Sequence, residues 1–418
     1  MALQTAFRFG TNEIFSTLAN MIISQQVFAD NISFDGSLVE RFKTDGSMYG
    51  DTKLFYATDA LKSNEWNQDA DLNILQTHRP ADPKVQSITI DAFRQIPLTV
   101  DQYMTKRAFS DEYTFSQFNS VMLAWMGITK KLYENTIFNT YVGVTSTSTG
   151  KQSQTVTLAT GASGAANVEA ENRINGALIA KKIADILGEV KDPILGKKYN
   201  DYGFYRNYNA GDFVAVWNLD IVNTIEKIDL PTVFHKEGLV EKIGEYTLPG
   251  DYFGTIITST NVSTYSASTP AAGKPINSST GAYTPGSNNT NGKICSTREV
   301  TIGTTHIFAG EEIPSGTIIA ASDNLASNTI AYETCYIVDA KVICKLIHKN
   351  ALKFMSAFET GTEFFNPKNL STNHYLTWGY SDPFDKLNSG KPNSLPHNAG
   401  YPGGIRLLNY PYITVSKA

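Results

Sequence analysis

Six histidines, three cysteines and one adjacent acidic pair are the residues through which this chain could do chemistry, and their spacing argues against it. His78, His235, His306, His348, His374 and His397 each lie more than 18 residues from the next, so no two share the three- or four-residue helical spacing of a metal pair. Cys295, Cys335 and Cys344 are odd in number and form no Cys-x-x-Cys, which fits neither a disulfide framework nor a zinc site. Buried free thiols in a reducing cytoplasm are expected. Glu311-Glu312 would suit acid/base work only if the two carboxylates converged; adjacent residues of an extended chain point to opposite faces, so a solvated turn is expected. No phosphate-cradling loop, dinucleotide fingerprint, Gly-x-Ser-x-Gly elbow or His-Glu-x-x-His is present. The aromatics Tyr375, Trp378, Tyr380 and Phe384 are of the type that stacks single-stranded nucleic acid, but they alternate with polar residues and have few Lys or Arg neighbours. A sheet core is the better reading. The expectation is a chain that is not an enzyme, with no catalytic, cofactor-binding or metal residue.

Composition narrows the class further. The chain has 418 residues, 41% hydrophobic and 18% charged, enough for one large or two medium cores. With 35 Lys+Arg against 40 Asp+Glu the net charge is -5, which leaves no basic excess for a phosphate footprint. Arg8 interrupts the first apolar run before it reaches signal-peptide length. No stretch approaches the ~20 apolar residues of a membrane span, so a soluble protein is expected. Asn-x-Ser/Thr sequons such as Asn261-Val262-Ser263 carry no meaning without a secretory route.

The elements read as follows. Residues 1–45 begin with an amphipathic stretch, Ile14, Phe15, Leu18, Met21 and Ile22, and continue as an arm. Lys53 to Tyr56 and Ser87 to Ile90 are strand-like around a polar middle, Ala60 to Pro83, which predicts a long projecting hairpin. Thr114-Phe115-Ser116-Gln117 is a capping box, with Tyr113 able to staple onto Phe118. Phe115, Phe118, Met122, Trp125, Met126, Leu132, Tyr133 and Ile137 then form an apolar stripe, predicting a helix of roughly 40 Å, with Trp125 in its core. A loop over 146–166 precedes a helix Val168–Leu187 burying Ile174, Leu178, Ile179, Ile183 and Ile186, with Gly188 as its cap. Phe213 to Trp217 is a buried strand leading into a short helix. Residues 258–293 are almost only Ser, Thr, Asn, Gly, Ala and Pro and predict an exposed insertion with no core of its own. Short β units follow through Val300–Ile319, Tyr336–Val338 and Val342–Ile343, and strand character returns at His374–Tyr380. The fold class is α+β.

That order of arm, long hairpin, bracing helix, mixed region with an insertion, and late aromatic strands resembles the major capsid proteins of tailed phages with the Hong Kong 97 fold. The likeness extends to those of short-tailed phages, both podoviruses and crAss-like phages. The segments carrying it are Phe115 to Val144, Tyr205 to Leu239 and Lys349 to Lys386, the last with Phe364-Phe365-Asn366-Pro367 and Thr377-Trp378-Gly379-Tyr380. The resemblance implies an N-terminal arm (1–45), an extended loop hairpin (46–97) lying across a neighbouring subunit, and a peripheral domain with a spine helix (98–166) to which the chain returns (341–390). It also implies an axial domain (167–340) with an inserted β-rich loop (255–330), and leaves a C-terminal tail (391–418). The implied function is self-assembly into an icosahedral head shell enclosing a double-stranded DNA genome. Implied partners are the chain itself in pentamers and hexamers, a portal, scaffolding or decoration proteins, and packaged DNA contacted non-specifically, with no membrane. The implied location is the virion, after assembly in the bacterial host cytoplasm. An encapsulin-like compartment around enzyme cargo is the alternative.

Overall fold

A run of side chains buried on every strand position, Phe213 to Asn218, marks where the larger core lies. The computed structural model of the chain describes residues 37–44, 46, 52–61, 63, 77, 83–90, 92–101, 112–144, 151–161, 164–226, 244–321, 327–384 and 404–418. The amphipathic stretch expected near the N-terminus and most of the hairpin's polar middle lie outside these residues. The labels used below are α1 (Leu38–Phe42), β1 (Lys43–Thr44), β2 (Thr52–Ala57), β3 (Lys84–Thr89), β4 (Ala92–Asp101), α2 (Glu112–Val144), β5 (Ser153–Val156), α3 (Ala165–Glu189), β6 (Phe213–Asn218), α4 (Leu219–Glu226), β7 (Gly244–Leu248), β8 (Val342–His348), β9 (Phe354–Asn366), β10 (Ser371–Tyr380) and β11 (Tyr412–Lys417). The chain divides into two compact units, one of residues 1–51, 89–135 and 354–382 and one of residues 52–88, 136–353 and 383–418.

In the first unit a four-stranded sheet runs β1-β9-β10-β4. β9 and β10 pair antiparallel, as do β10 and β4, while β1 joins the outer edge of β9 in parallel at Phe354 and Met355. Its core gathers Phe42, Ile90, Val100, Met126, Tyr133, Phe354, Trp378 and Tyr380. Of the late aromatic run, Trp378 and Tyr380 pack into this sheet core as expected, whereas Tyr375 is half-buried and Phe384 packs edge to face on Tyr141 in the second unit. Tyr133 meets Trp378 and Tyr380 edge to face at 5.9 and 5.5 Å between ring centroids, a geometry that adds to simple area burial.

The second unit holds a five-stranded mixed sheet, β5-β11-β8-β6-β7. Because strand side chains alternate, Ala215, Trp217, Cys344, Leu346, Ile413 and Val415 share one face and pack with Ile179, Ile183 and Ile186 of α3 and with Val190 at its C-cap. The opposite face carries Tyr412, whose hydroxyl donates to the carbonyl of Val142 in α2 at 2.6 Å. The sheet is thus covered on both faces. β2 and β3 pair with each other in a separate two-stranded sheet, matching the expected hairpin.

Five expectations need correction. First, α2 starts at Glu112, two residues before Thr114, and Trp125 is only half-buried; burial instead becomes complete on every side from Thr136 to Val144. A helix end enclosed all round needs no single stripe, and at Gly143 an added Cβ would sit 2.0 Å from the carbonyl oxygen of Tyr252. Second, Ile174 and Leu178 of α3 are exposed. Third, Gly188 lies inside α3, which ends at Glu189 with Val190 as its C-cap. The inward stripe is Asn175, Ile179, Ile183, Ile186 and Val190, and Asn175 holds its place by bonding both the N–H (2.7 Å) and the carbonyl (3.1 Å) of Ala159. Fourth, residues 258–293 do contribute to a core. Ile276 and Tyr283 join Ile257, Ile294, Ile302, Ile307, Ile313, Ile319, Ile330 and Ile337 in an isoleucine cluster inside a set of short sheets between residues 254 and 338. Sparse, widely spaced apolar residues suffice because each short strand contributes one inward side chain. Fifth, the stretch left as a C-terminal tail contains a strand: β11 is the second strand of the five-stranded sheet, paired with β8 and β5.

Candidate functional site: subunit surfaces

The residues that could do chemistry are dispersed. His306 is exposed beside Glu299 at 3.0 Å, and His374 stands 3.7 Å from Glu363. His348 is buried, stacked on Tyr410 at 4.9 Å and edge-on to Phe213 and Tyr208. Burial lowers its pKa to about 4, with Asp212 pulling weakly the other way, so it is a neutral packing residue near pH 7. His78, His235 and His397 lie outside the described residues. The three cysteines are free and buried, and burial raises the thiol of Cys295 to about 12 and that of Cys344 further. A thiol held protonated is a poor nucleophile. Glu311 and Glu312 diverge: Glu311 accepts from the N–H of Phe308 and Glu312 from the hydroxyl of Tyr283, each at 2.8 Å. Among the described residues no group of three or more His, Cys, Asp or Glu is placed to hold a metal ion, and no described helix is long and apolar enough to cross a membrane.

One buried polar cluster escaped sequence reasoning. On the face of the five-stranded sheet away from α3, Lys345 lies opposite Thr414, and both its ammonium and the Arg406 guanidinium sit over the Tyr412 ring, at 5.6 and 5.2 Å. Arg406 donates to Asp201 at 2.5 Å and to Gln152 at 2.7 Å, and Gln152 donates to Asp201 at 3.1 Å. Burial, with Arg406 nearby, lowers the Lys345 pKa to about 7. Such an amine resembles a catalytic lysine, but it is 1% exposed, which leaves no surface where a substrate would meet it. The cluster ties β11, β8 and the 199–206 segment together. Its sequence signal is a lysine in the apolar run Val342-Ile343-Cys344-Lys345-Leu346-Ile347.

Several large apolar side chains are left outward. Leu54 and Tyr56 project from β2 and Leu61 follows; Leu54 and Tyr56, two residues apart on one strand, share a face. Where β2 leads into the hairpin's loop, the N–H of Tyr205 donates to Asp59 at 2.9 Å and Arg206 bonds the carbonyl of Thr58. Gln86 accepts from the N–H of Leu408 at 3.0 Å. A second group, Phe364, Phe365 and Leu370, lies at the turn between β9 and β10, and a third, Val168, Ile174 and Leu178, on α3. Large apolar side chains grouped on a surface mark places where another macromolecule binds.

Known proteins give such surfaces a context. The family model of the Phi29-like phage major capsid protein matches residues 2–380. Among solved structures, the chain is similar to one from the capsid of Staphylococcus phage Andhra, with a TM-score of 0.53 at 9% identity, covering 94% of this chain and 87% of that one. It is also similar to a chain in the structure of the head fiber and inner core protein gp22 of native bacteriophage P68, with a TM-score of 0.51 at 10% identity, covering 94% and 88%. At these identities the likeness speaks for the fold. Comparison with curated proteins gives no match. The encapsulin-like alternative is without support, since the matches are to phages. The family match spans most of the chain: the chain belongs to the Phi29-like phage major capsid proteins and builds the phage head shell.

Proposed function

We propose that this capsid subunit follows the Hong Kong 97 layout and closes an icosahedral shell of pentamers and hexamers around double-stranded DNA. In this reading residues 1–45 are an arm, and 46–97 an extended loop that lies across a neighbouring copy. Residues 98–166 and 341–390 form the peripheral domain, and 167–340 the axial domain at the five- and six-fold centres. The first compact unit shares residues 98–135 and 354–382 with the proposed peripheral domain, which supports the assignment. A portal, scaffolding or decoration proteins, and DNA contacted without sequence preference would be its partners, with assembly in the host cytoplasm. The net charge of -5 suits a wall that confines DNA without gripping it.

The observation that carries this reading is the hairpin. Its two strands pair with each other, not with either large sheet, and Leu54, Tyr56 and Leu61 are exposed in the single chain. Burying them on a neighbour makes the hairpin an assembly element and spares it a folding role. Deleting Ser63 to Pro80 should therefore leave a soluble subunit with an unchanged circular dichroism spectrum that forms no closed shells under electron microscopy. Closed shells of normal size from this variant, or an unfolded subunit, would refute the assignment.

A further inference from the structure

The sequence holds two Asn-Gly pairs, Asn175-Gly176 and Asn291-Gly292. An asparagine before glycine is chemically labile. The glycine nitrogen, with no Cβ beside it to hinder its approach, can attack the side-chain carbonyl of the asparagine. The fold treats the two pairs differently. Asn175 lies inside α3, where the Gly176 nitrogen is held in the helical ladder. Its side chain accepts from the N–H of Ala159 at 2.7 Å and donates to the Ala159 carbonyl at 3.1 Å. Reaction there would need a long helix to unwind across its buried face. Asn291 instead closes a turn, 286–292, in which no residue is buried. The N–H groups of Asn289 and Gly292 donate to the carbonyls of Gly286 and Asn289, each at 2.9 Å, and that of Thr290 donates to Ser287 at 3.3 Å. The Asn291 amide adds a bond to the carbonyl of Thr284 at 3.2 Å. Against these bonds stands strain, because Asn288 and Asn289 sit at φ 53° and 59°, the left-handed region that costs a residue with a side chain energy. A strained turn with no apolar burial lies at the low-stability end of a structure and opens readily.

We propose that Asn291 is a spontaneous modification site of this chain, converted to aspartate and isoaspartate through openings of the 286–292 turn, while Asn175 is preserved by α3. In the open turn the Gly292 nitrogen gives its proton to solvent base and bonds to Cγ of Asn291. The Cγ–Nδ2 bond breaks and ammonia leaves, closing a five-membered succinimide. Water then opens the ring at either carbonyl, which leaves a carboxylate on the normal backbone or on one lengthened by a methylene. No oxidant or cofactor enters. Either product removes the donor that Asn291 gives to Thr284 and sets a negative charge in its place. The lengthened backbone also displaces Gly292, where even an added Cβ would meet Ile337 at 3.4 Å and Pro275 at 3.6 Å. Ile337 belongs to the isoleucine cluster, so the change loosens that core at the start of the strand Ile294–Ser296. The site is independent of the shell-building reading.

The test ages the full chain in neutral buffer, in parallel with and without urea, and follows both asparagines by peptide mass spectrometry with isoaspartyl methyltransferase labelling. In the folded chain deamidation at Asn291 should outrun that at Asn175 by at least about tenfold, because only the turn opens locally. In urea the two rates should converge, since neither pair keeps its structure. Asn289→Gly gives the turn a residue suited to φ 59° and relieves its strain. This variant should slow the reaction at Asn291 in the folded chain and leave the rate in urea unchanged. A ratio between the two sites that is no larger in the folded chain than in urea, or an Asn291 rate that Asn289→Gly does not move, would overturn the proposal.

Discussion

Lys345 shows how much of a residue's behaviour comes from its surroundings. Its ordinary pKa of 10.5 falls to about 7 because burial penalises the ammonium and Arg406 repels it. Between about 7 and 10.5 the unfolded chain therefore holds one more proton than the folded one, so stability should rise as pH rises through that window. Lys345→Met should remove this slope and stabilise the subunit at pH 7 by on the order of several kcal/mol. Urea unfolding of the subunit at a series of pH values gives the comparison, and parallel curves for wild type and variant would show that Lys345 is not neutral in the fold. The lysine's place in an apolar run was visible in the sequence. Its partners were not, because Arg406 and Asp201 come from segments 61 and 144 residues away, a pairing set by the sheet order and by no local pattern.

At the scale of elements, legibility followed periodicity. Long helices and the strands at Phe213 and His374 could be read because each repeats one inward position many times. The isoleucine cluster between residues 254 and 338 could not, since its strands are two to four residues long and offer one or two inward positions apiece. The stripe on α3 is hidden in the sequence for a related reason: Asn175, not Ile174, takes the inward position, and its polarity is satisfied by the backbone of Ala159. β11 was missed because its partners β8 and β5 are distant in sequence. The insertion's core makes a sharp demand. Tyr283 is fully buried with its hydroxyl on Glu312 at 2.8 Å, so Tyr283→Ala should cost about 3–5 kcal/mol and Tyr283→Phe about 1 kcal/mol. Denaturant melts of the two variants test this, and a neutral Tyr283→Ala would return the segment to the status of a coreless loop.

At the scale of the whole molecule, the first unit has one core and the second has two, and several large apolar side chains stay outside all three. The described histidines, thiols and paired acids take part in packing, ion-pair and turn contacts. The exposed groups at β2, at the β9–β10 turn and on α3 are different in kind, because nothing in the stability of a single chain accounts for them. The order of elements in the sequence was enough to suggest the capsid family, which depends on succession. The contact surfaces needed three dimensions, since exposure is a property of the fold. The most direct measurement is a cryo-electron-microscopy reconstruction of particles assembled from the full chain. Closed icosahedral shells in which Leu54, Tyr56 and Leu61 of each copy are covered by a neighbouring copy are the expected result. Shells in which those side chains stay open to solvent, or a chain that remains monomeric at every concentration tried, would contradict it.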